Sequence, residues 1–159
     1  MNDFSEPLTF PNVSGSNLEG RKFYFPKDFE GKLNIIVVAF KREQTSLIET
    51  WAEDLADIER KNPTVRFYEL PVLSRTYSPI RWWIDGGMRA GISDSESRKR
   101  TITVYTAKNI FKNHLRIPSE DTIHVLLVDK SGTVLWQTQG SLTKEKIGKL
   151  RKTLEENIT

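Results

Sequence analysis

The sequence predicts an α/β fold, a three-layer sandwich with a mixed central sheet flanked by helices, and three observations predict it. Leu33 to Phe40 (LNIIVVAF) is an almost unbroken apolar run, which suits a strand covered on both faces. Leu47, Ile48, Trp51, Leu55 and Ile58 recur at gaps of three and four, forming one stripe of an amphipathic helix. Ile123 to Val128 and Thr133 to Thr138 flank the turn residues Asp129-Lys130-Ser131-Gly132, which reads as an antiparallel pair.

The remaining elements fall into order around these. Residues up to Gly20 are rich in Asn, Ser, Gly and Pro and read as an extended or looped lead-in (1–20). Lys22 to Pro26 (KFYFP) is an extra N-terminal strand, and Gly31 punctuates before the apolar run. Asn62-Pro63 stops the first helix. Val65 to Leu73 (VRFYELPVL) is the next strand, and a right-handed crossover makes it parallel to the first. Pro79 to Asp85 opens a short helix with proline in its first turn. It continues weakly past Gly86-Gly87 to Met88, Ala90 and Ile92, so a helical insert covers about 78–92. Ser93 to Arg100 is polar and reads as a loop, Thr101 to Thr106 as β-prone, and Ala107 to Leu115 as a short helix. Ile147, Leu150, Leu154 and Ile158 line a final helix, capped at Ser141-Leu142-Thr143. The order βαβ, helical region, ββα is the thioredoxin arrangement, with 1–159 as a single domain.

That arrangement comes without its usual chemistry. The chain has no cysteine, which excludes thiol–disulfide exchange, a thiol peroxidase and any thiolate metal ligand. In redox members of the fold a Cys-x-x-Cys sits between the first core strand and the next helix. Here Arg42, Glu43, Gln44, Thr45 and Ser46 occupy that place. A hydroxyl without an adjacent base is a poor nucleophile, so Thr45 or Ser46 reads as a helix N-cap. The position of the redox cis-proline loop falls at Thr122, Ile123 and His124. Without proline there, a trans peptide is expected. His114 and His124 are the only histidines, and neither sits in a cluster of metal-ligand spacing. His124 reads as a hydrogen-bonded core residue rather than a general base. No phosphate loop is present, and no metal or cofactor is expected.

A formal charge of +3 gives weak long-range attraction to nucleic acid, so no nucleic-acid partner is expected. No stretch approaches the roughly 18 apolar residues of a membrane span. The acidic N-terminus Met1-Asn2-Asp3-Phe4-Ser5-Glu6 lacks the bases of a targeting signal. If Met1 is the native start, a cytoplasmic location follows. The segment from Arg75 to Arg100 gathers Tyr77, Arg81, Trp82, Trp83, Met88, Arg89, Arg98, Lys99 and Arg100. Aromatic residues with arginine are enriched at binding hot spots, and a basic amphipathic helix also suits peripheral contact with a membrane surface. The plainer reading is core tryptophan with solvated arginines.

Phe10-Pro11-Asn12, Leu18-x-Gly20, the strand end Phe40-Lys41-Arg42 and Trp51 resemble the mitochondrial ATP-synthase assembly factor ten family. The resemblance runs on through Phe67-Tyr68-Glu69-Leu70, Trp82-Trp83, Arg98 to Tyr105, Val125 to Gly132 and Leu135-Trp136, covering about residues 8–155. It implies a thioredoxin-like chaperone that assists assembly of the membrane sector of ATP synthase, without enzymatic turnover. The expected function is therefore a non-redox binding module or assembly chaperone with a protein partner. The alternative is a divergent peroxiredoxin-like or transferase-like enzyme using Thr45, Ser46 or His124.

Overall fold

The computed structural model describes residues 7–74 and 95–158. In chain order the described elements are β1 (Val13–Asn17), β2 (Lys22–Phe25), β3 (Leu33–Ala39), a 3-10 turn (Arg42–Gln44), α1 (Thr45–Lys61), β4 (Val65–Leu73), α2 (Ser95–Arg100), β5 (Ile102–Tyr105), α3 (Lys108–His114), β6 (His124–Asp129), β7 (Val134–Gln139) and α4 (Lys144–Asn157). The strands form one sheet in the order β2-β1-β5-β4-β3-β6-β7. β3 pairs parallel with β4 and antiparallel with β6, so the expected mixed sheet and crossover are present. The expected insert at about 78–92, with Arg81, Trp82, Trp83, Met88 and Arg89, lies outside the described residues.

Strand alternation sends successive side chains to opposite faces, and β3 has an apolar layer on each. Ile35 and Val37 pack with Trp51, Leu55 and Ile58 of α1 and with Leu150 and Leu154 of α4. Ile36 and Val38 pack on the other face with Phe111 of α3 and with Phe10, Phe23, Phe25 and Phe29. Phe25 and Phe29 stack at 4.5 Å between centroids, and Phe10 meets Phe29 edge-on at 5.2 Å. These are offset and edge geometries that aromatic quadrupoles favour.

Two expectations need correction. Part of the 1–20 lead-in is a paired strand: β1 lies between β2 and β5 in the sheet. Its sequence, VSGSN, has no apolar alternation because backbone fit, not side-chain burial, puts it there. A Cβ on Gly15 would come within 2.3 Å of the Thr103 carbonyl oxygen, so only glycine allows the approach. The second correction concerns Ser93 to Arg100, where Ser95–Arg100 is helical. The backbone N–H of Leu18 donates to the Arg98 carbonyl at 3.1 Å, and Asn17 Nδ2 donates to the Lys99 carbonyl at 3.2 Å. The end of β1 thus satisfies carbonyls that a six-residue helix leaves open.

Candidate functional site

The pole of the sheet where β3 ends and α1 begins is where a redox motif would act. Gln44 organises it. Its Oε1 accepts from the backbone N–H groups of Phe40 at 2.9 Å and Lys41 at 3.3 Å, and its Nε2 donates to the Glu120 carbonyl at 2.6 Å. One buried amide therefore joins the end of β3, the 3-10 turn and the loop before β6. The expected N-capping by Thr45 or Ser46 is not what these hydroxyls do. Thr45 Oγ1 donates to the Arg42 carbonyl at 2.9 Å and Ser46 Oγ to the Glu43 carbonyl at 3.4 Å. The position preceding α1 is Gln44, already in helical conformation. The 3-10 turn begins the winding one turn early, leaving the hydroxyls inside the helical path, where back-bonding to a carbonyl is their usual outlet. The other expected cap is present, with Thr143 Oγ1 accepting from Lys146 N–H at 3.2 Å.

Around Gln44 the pole is held by ion pairs. Glu120 meets Lys112 at 2.8 Å and Lys108 at 3.4 Å, and Asp121 meets Lys41 at 3.7 Å. Burial pushes the Glu120 carboxyl up, but its bond to Lys112 and the charges of both lysines outweigh that and hold it below the ordinary range. Replacing Gln44 by Ala strands the buried N–H of Phe40 and loosens the Glu120 loop. A loss of about 1–3 kcal/mol is expected, by the cost of an orphaned buried polar group. Urea unfolding measures it, and an unchanged midpoint would contradict the structural role given to Gln44.

Thr122, Ile123 and His124 lie beside this pole. His124 belongs to β6 and is 2% exposed. Its position in the strand matches that of Leu126 and Val128 on the aromatic face, and its ring stands edge-on to Phe40 at 6.4 Å. Burial pushes the imidazole below the usual histidine range, opposed by the Ser119 backbone. It is thus the buried, hydrogen-bonded core histidine expected, bonded to the Ser119 backbone, while its Nε2 has no hydrogen-bond partner among the described residues. Among the described residues neither Thr45 nor Ser46 is bonded to His124 or to any carboxylate or amine, and the triad logic of an activated hydroxyl is not assembled. No group of three or more His, Asp or Glu there is placed to hold a metal.

The basic run Arg98, Lys99 and Arg100 is divided by its contacts. Arg98 reaches Glu19 at 3.4 Å. Arg100 pairs with Glu59 at 3.1 Å, lies 4.5 Å over the Phe67 ring and donates to the Phe67 carbonyl at 3.2 Å. Lys99 alone of the three is exposed. One buried group went unweighed in the sequence, although an acid inside VRFYELPVL is itself a signal. Glu69 is 8% exposed, on the α1 face of β4, and burial pushes its carboxyl up to about 7 against the lowering effects of Arg100 and a Thr101 hydrogen bond.

The comparisons agree with this architecture. The chain is similar in structure to a thiol-disulfide oxidoreductase from Bacteroides fragilis NCTC 9343, with a TM-score of 0.60 and 15% identity over 91% of this chain and 98% of that one. It is similar to the pneumococcal exposed lipoprotein thioredoxin Etrx1 from Streptococcus pneumoniae strain TIGR4 at a TM-score of 0.57 and 15% identity, over 91% and 99%. It is also similar to BsSco, a member of the Sco family of cytochrome c oxidase assembly proteins, at a TM-score of 0.60 and 10% identity, over 93% and 95%. At such identities these likenesses establish the thioredoxin-like fold alone. No curated protein matches the sequence. The family described as ATP10 protein matches residues 5–156, nearly the whole chain and the same family its residues resemble, so the chain belongs to the ATP10 protein family.

Proposed function

We propose that the chain acts as a single thioredoxin-like domain that binds a protein partner as an assembly chaperone, without redox turnover. The match to the ATP10 protein family over residues 5–156 carries the reading. The absence of cysteine from the sequence is consistent with it. So is the pole around Gln44, where the hydroxyls that would serve a divergent enzyme are bonded to backbone carbonyls. The family's role makes a membrane-complex subunit, first of all from the membrane sector of ATP synthase, the client to test.

The test is affinity capture from host membranes and cytosol, comparing wild type with an Arg81→Ala/Trp82→Ala variant. Capture of a membrane-complex subunit is expected from wild type. In the folded variant it should fall about 30-fold, the effect of losing a hot spot worth about 2 kcal/mol. Capture of no subunit would overturn the chaperone reading. Equal capture by both proteins would remove Arg81 and Trp82 from the binding surface, and retention by bare lipid vesicles would assign that surface to a membrane.

A further inference from the structure

The sheet has a notch on one side. β5 pairs with β4 only from Glu69 onward, through the Glu69–Thr101 bridge and the Val72–Val104 and Leu73–Tyr105 pairs. Among the described residues, no strand lies beside β4 from Val65 to Tyr68 on that side. The outward backbone groups of this stretch are closed by side chains. Glu59 Oε2 accepts from the Phe67 N–H at 2.9 Å, Arg100 Nη1 donates to the Phe67 carbonyl at 3.2 Å, and Arg66 Nη1 donates to the Val65 carbonyl at 3.2 Å. The Glu59–Arg100 ion pair thus stands where a neighbouring strand would be, and backbone pairing with another chain is blocked there.

What remains open is an open groove of about 680 Å³ between β4, α2 and the β1–β2 turn. Phe23, Phe67 and Tyr68, all buried, are among the residues that line it. Its charges are unevenly satisfied. Arg21 pairs with Glu30 at 2.7 Å, Arg100 with Glu59 at 3.1 Å and Arg60 with Asp57 at 2.5 Å. Arg66 and Lys99 have no carboxylate partner among the described residues. Among the described residues Arg66 uses only Nη1, on the Pro63 and Val65 carbonyls, so its Nη2 and Nε hydrogens meet no acceptor there. Lys99 is exposed, and its side chain makes no bond to the described residues.

We propose that this groove receives a carboxylate side chain from an acidic, extended segment of a protein partner, bound between Arg66 and Lys99. The planar guanidinium fork of Arg66 suits a carboxylate, and the Lys99 ammonium adds a second charge. The rim argues for an isolated carboxylate over a polyanion. Glu19, Glu30 and Glu59 line the same groove and already hold Arg98, Arg21 and Arg100, which leaves Arg66 and Lys99 to meet one carboxylate rather than the run of open cations that a nucleic-acid backbone or an anionic bilayer takes. The biological occupant rests on the partner-binding reading above; the groove's preference for a carboxylate does not.

Fluorescence anisotropy with a short labelled peptide alternating Glu with Thr and Leu tests the site, with its Gln counterpart as control. The Glu peptide is expected to bind more tightly than the Gln peptide. Arg66→Gln and Lys99→Gln should each weaken it about tenfold, the worth of a charge-assisted hydrogen bond. Lys149→Gln on α4 should leave it unchanged. Because Arg66 also holds two backbone carbonyls, melting curves accompany its variant. Lys99→Glu, whose parent side chain holds none of the described residues, carries the test if Arg66→Gln unfolds. Equal binding of the two peptides, or variants that bind as wild type, would overturn the proposal. So would tighter binding of single-stranded oligonucleotide or phosphatidylserine vesicles through the same residues. If the Lys99 variant loses the peptide yet still captures its client subunit, the groove is not the client site and the chaperone reading stands. If wild type binds the peptide but captures no subunit, the chaperone reading fails and the groove stands.

Discussion

Replacing Trp51 by Ala should destabilise the protein by about 4 kcal/mol, within the range for buried aromatic truncations. Trp51 is completely buried in the layer between α1, the sheet and α4. It also has a polar task, since its Nε1 donates to the Gly140 carbonyl at 2.9 Å. The neighbouring Thr50 Oγ1 accepts from the Leu142 N–H at 3.0 Å. Two successive residues of α1 therefore clasp the connection between β7 and α4. Gly140 itself has φ of +85° and donates to the Ile123 carbonyl at 3.0 Å, so the clasp also steadies the segment leading into His124. The Ala variant loses the ring's burial, leaves a cavity and orphans a carbonyl. Trp51→Phe keeps most of the apolar body and should lose only about 1–2 kcal/mol, mainly through the missing hydrogen bond. Urea unfolding of both variants separates the two contributions. Similar losses for Phe and Ala would mean that the indole N–H outweighs packing, contrary to this account. Against a total of about 5–15 kcal/mol for a typical domain, the Ala change threatens folding itself.

Elements built by side-chain burial were legible in the sequence. The pattern Val65 to Leu73 predicts β4 over the range it occupies, because an apolar run leaves little choice. The stripe through Trp51, Leu55 and Ile58 marks the buried face of α1, and Asn62 ends the helix where it was read. Elements held by backbone fit were not legible. β1 is a polar pentapeptide whose place depends on a Gly15–Thr103 approach that no local pattern announces. The short helix α2 depends on bonds from Asn17 and Leu18, some eighty positions earlier in the chain. The candidate site divides in the same way. The lack of a redox motif was plain, but Gln44 among Arg42 to Ser46 gave no sign of bonding to the Glu120 carbonyl. The groove joins residues from separate segments, and the Arg-Lys-Arg run does not reveal which of its cations is internally paired.

Glu69 gives the second large effect, expressed through pH. Folded, it holds its proton up to about pH 7, against an ordinary glutamate value of 4.5, because burial disfavours the charged form. Arg100 is the cation that opposes this, but it is engaged by Glu59 at 3.1 Å, while Glu49 of α1 adds repulsion. Between those two pH values the unfolded chain releases this proton and the folded one retains it. Its contribution to stability is therefore complete below pH 4.5, declines as pH rises, and is gone above about pH 7. The span corresponds to roughly 3 kcal/mol as an order of magnitude. His124 works in the opposite direction. Its lowered imidazole value contributes stability above 6.5 that is lost as pH falls, so the wild-type profile alone mixes the two groups. Glu69→Gln isolates one of them, keeping the shape and hydrogen-bonding capacity of the protonated acid while removing its ionisation. The variant and wild type should be nearly equal in stability below pH 4.5, and the variant more stable by as much as roughly 3 kcal/mol above pH 7. Urea unfolding across that range gives the difference curve. A flat difference would show that Glu69 ionises in the fold as readily as in the unfolded chain, and that Arg100 neutralises it despite its bond to Glu59.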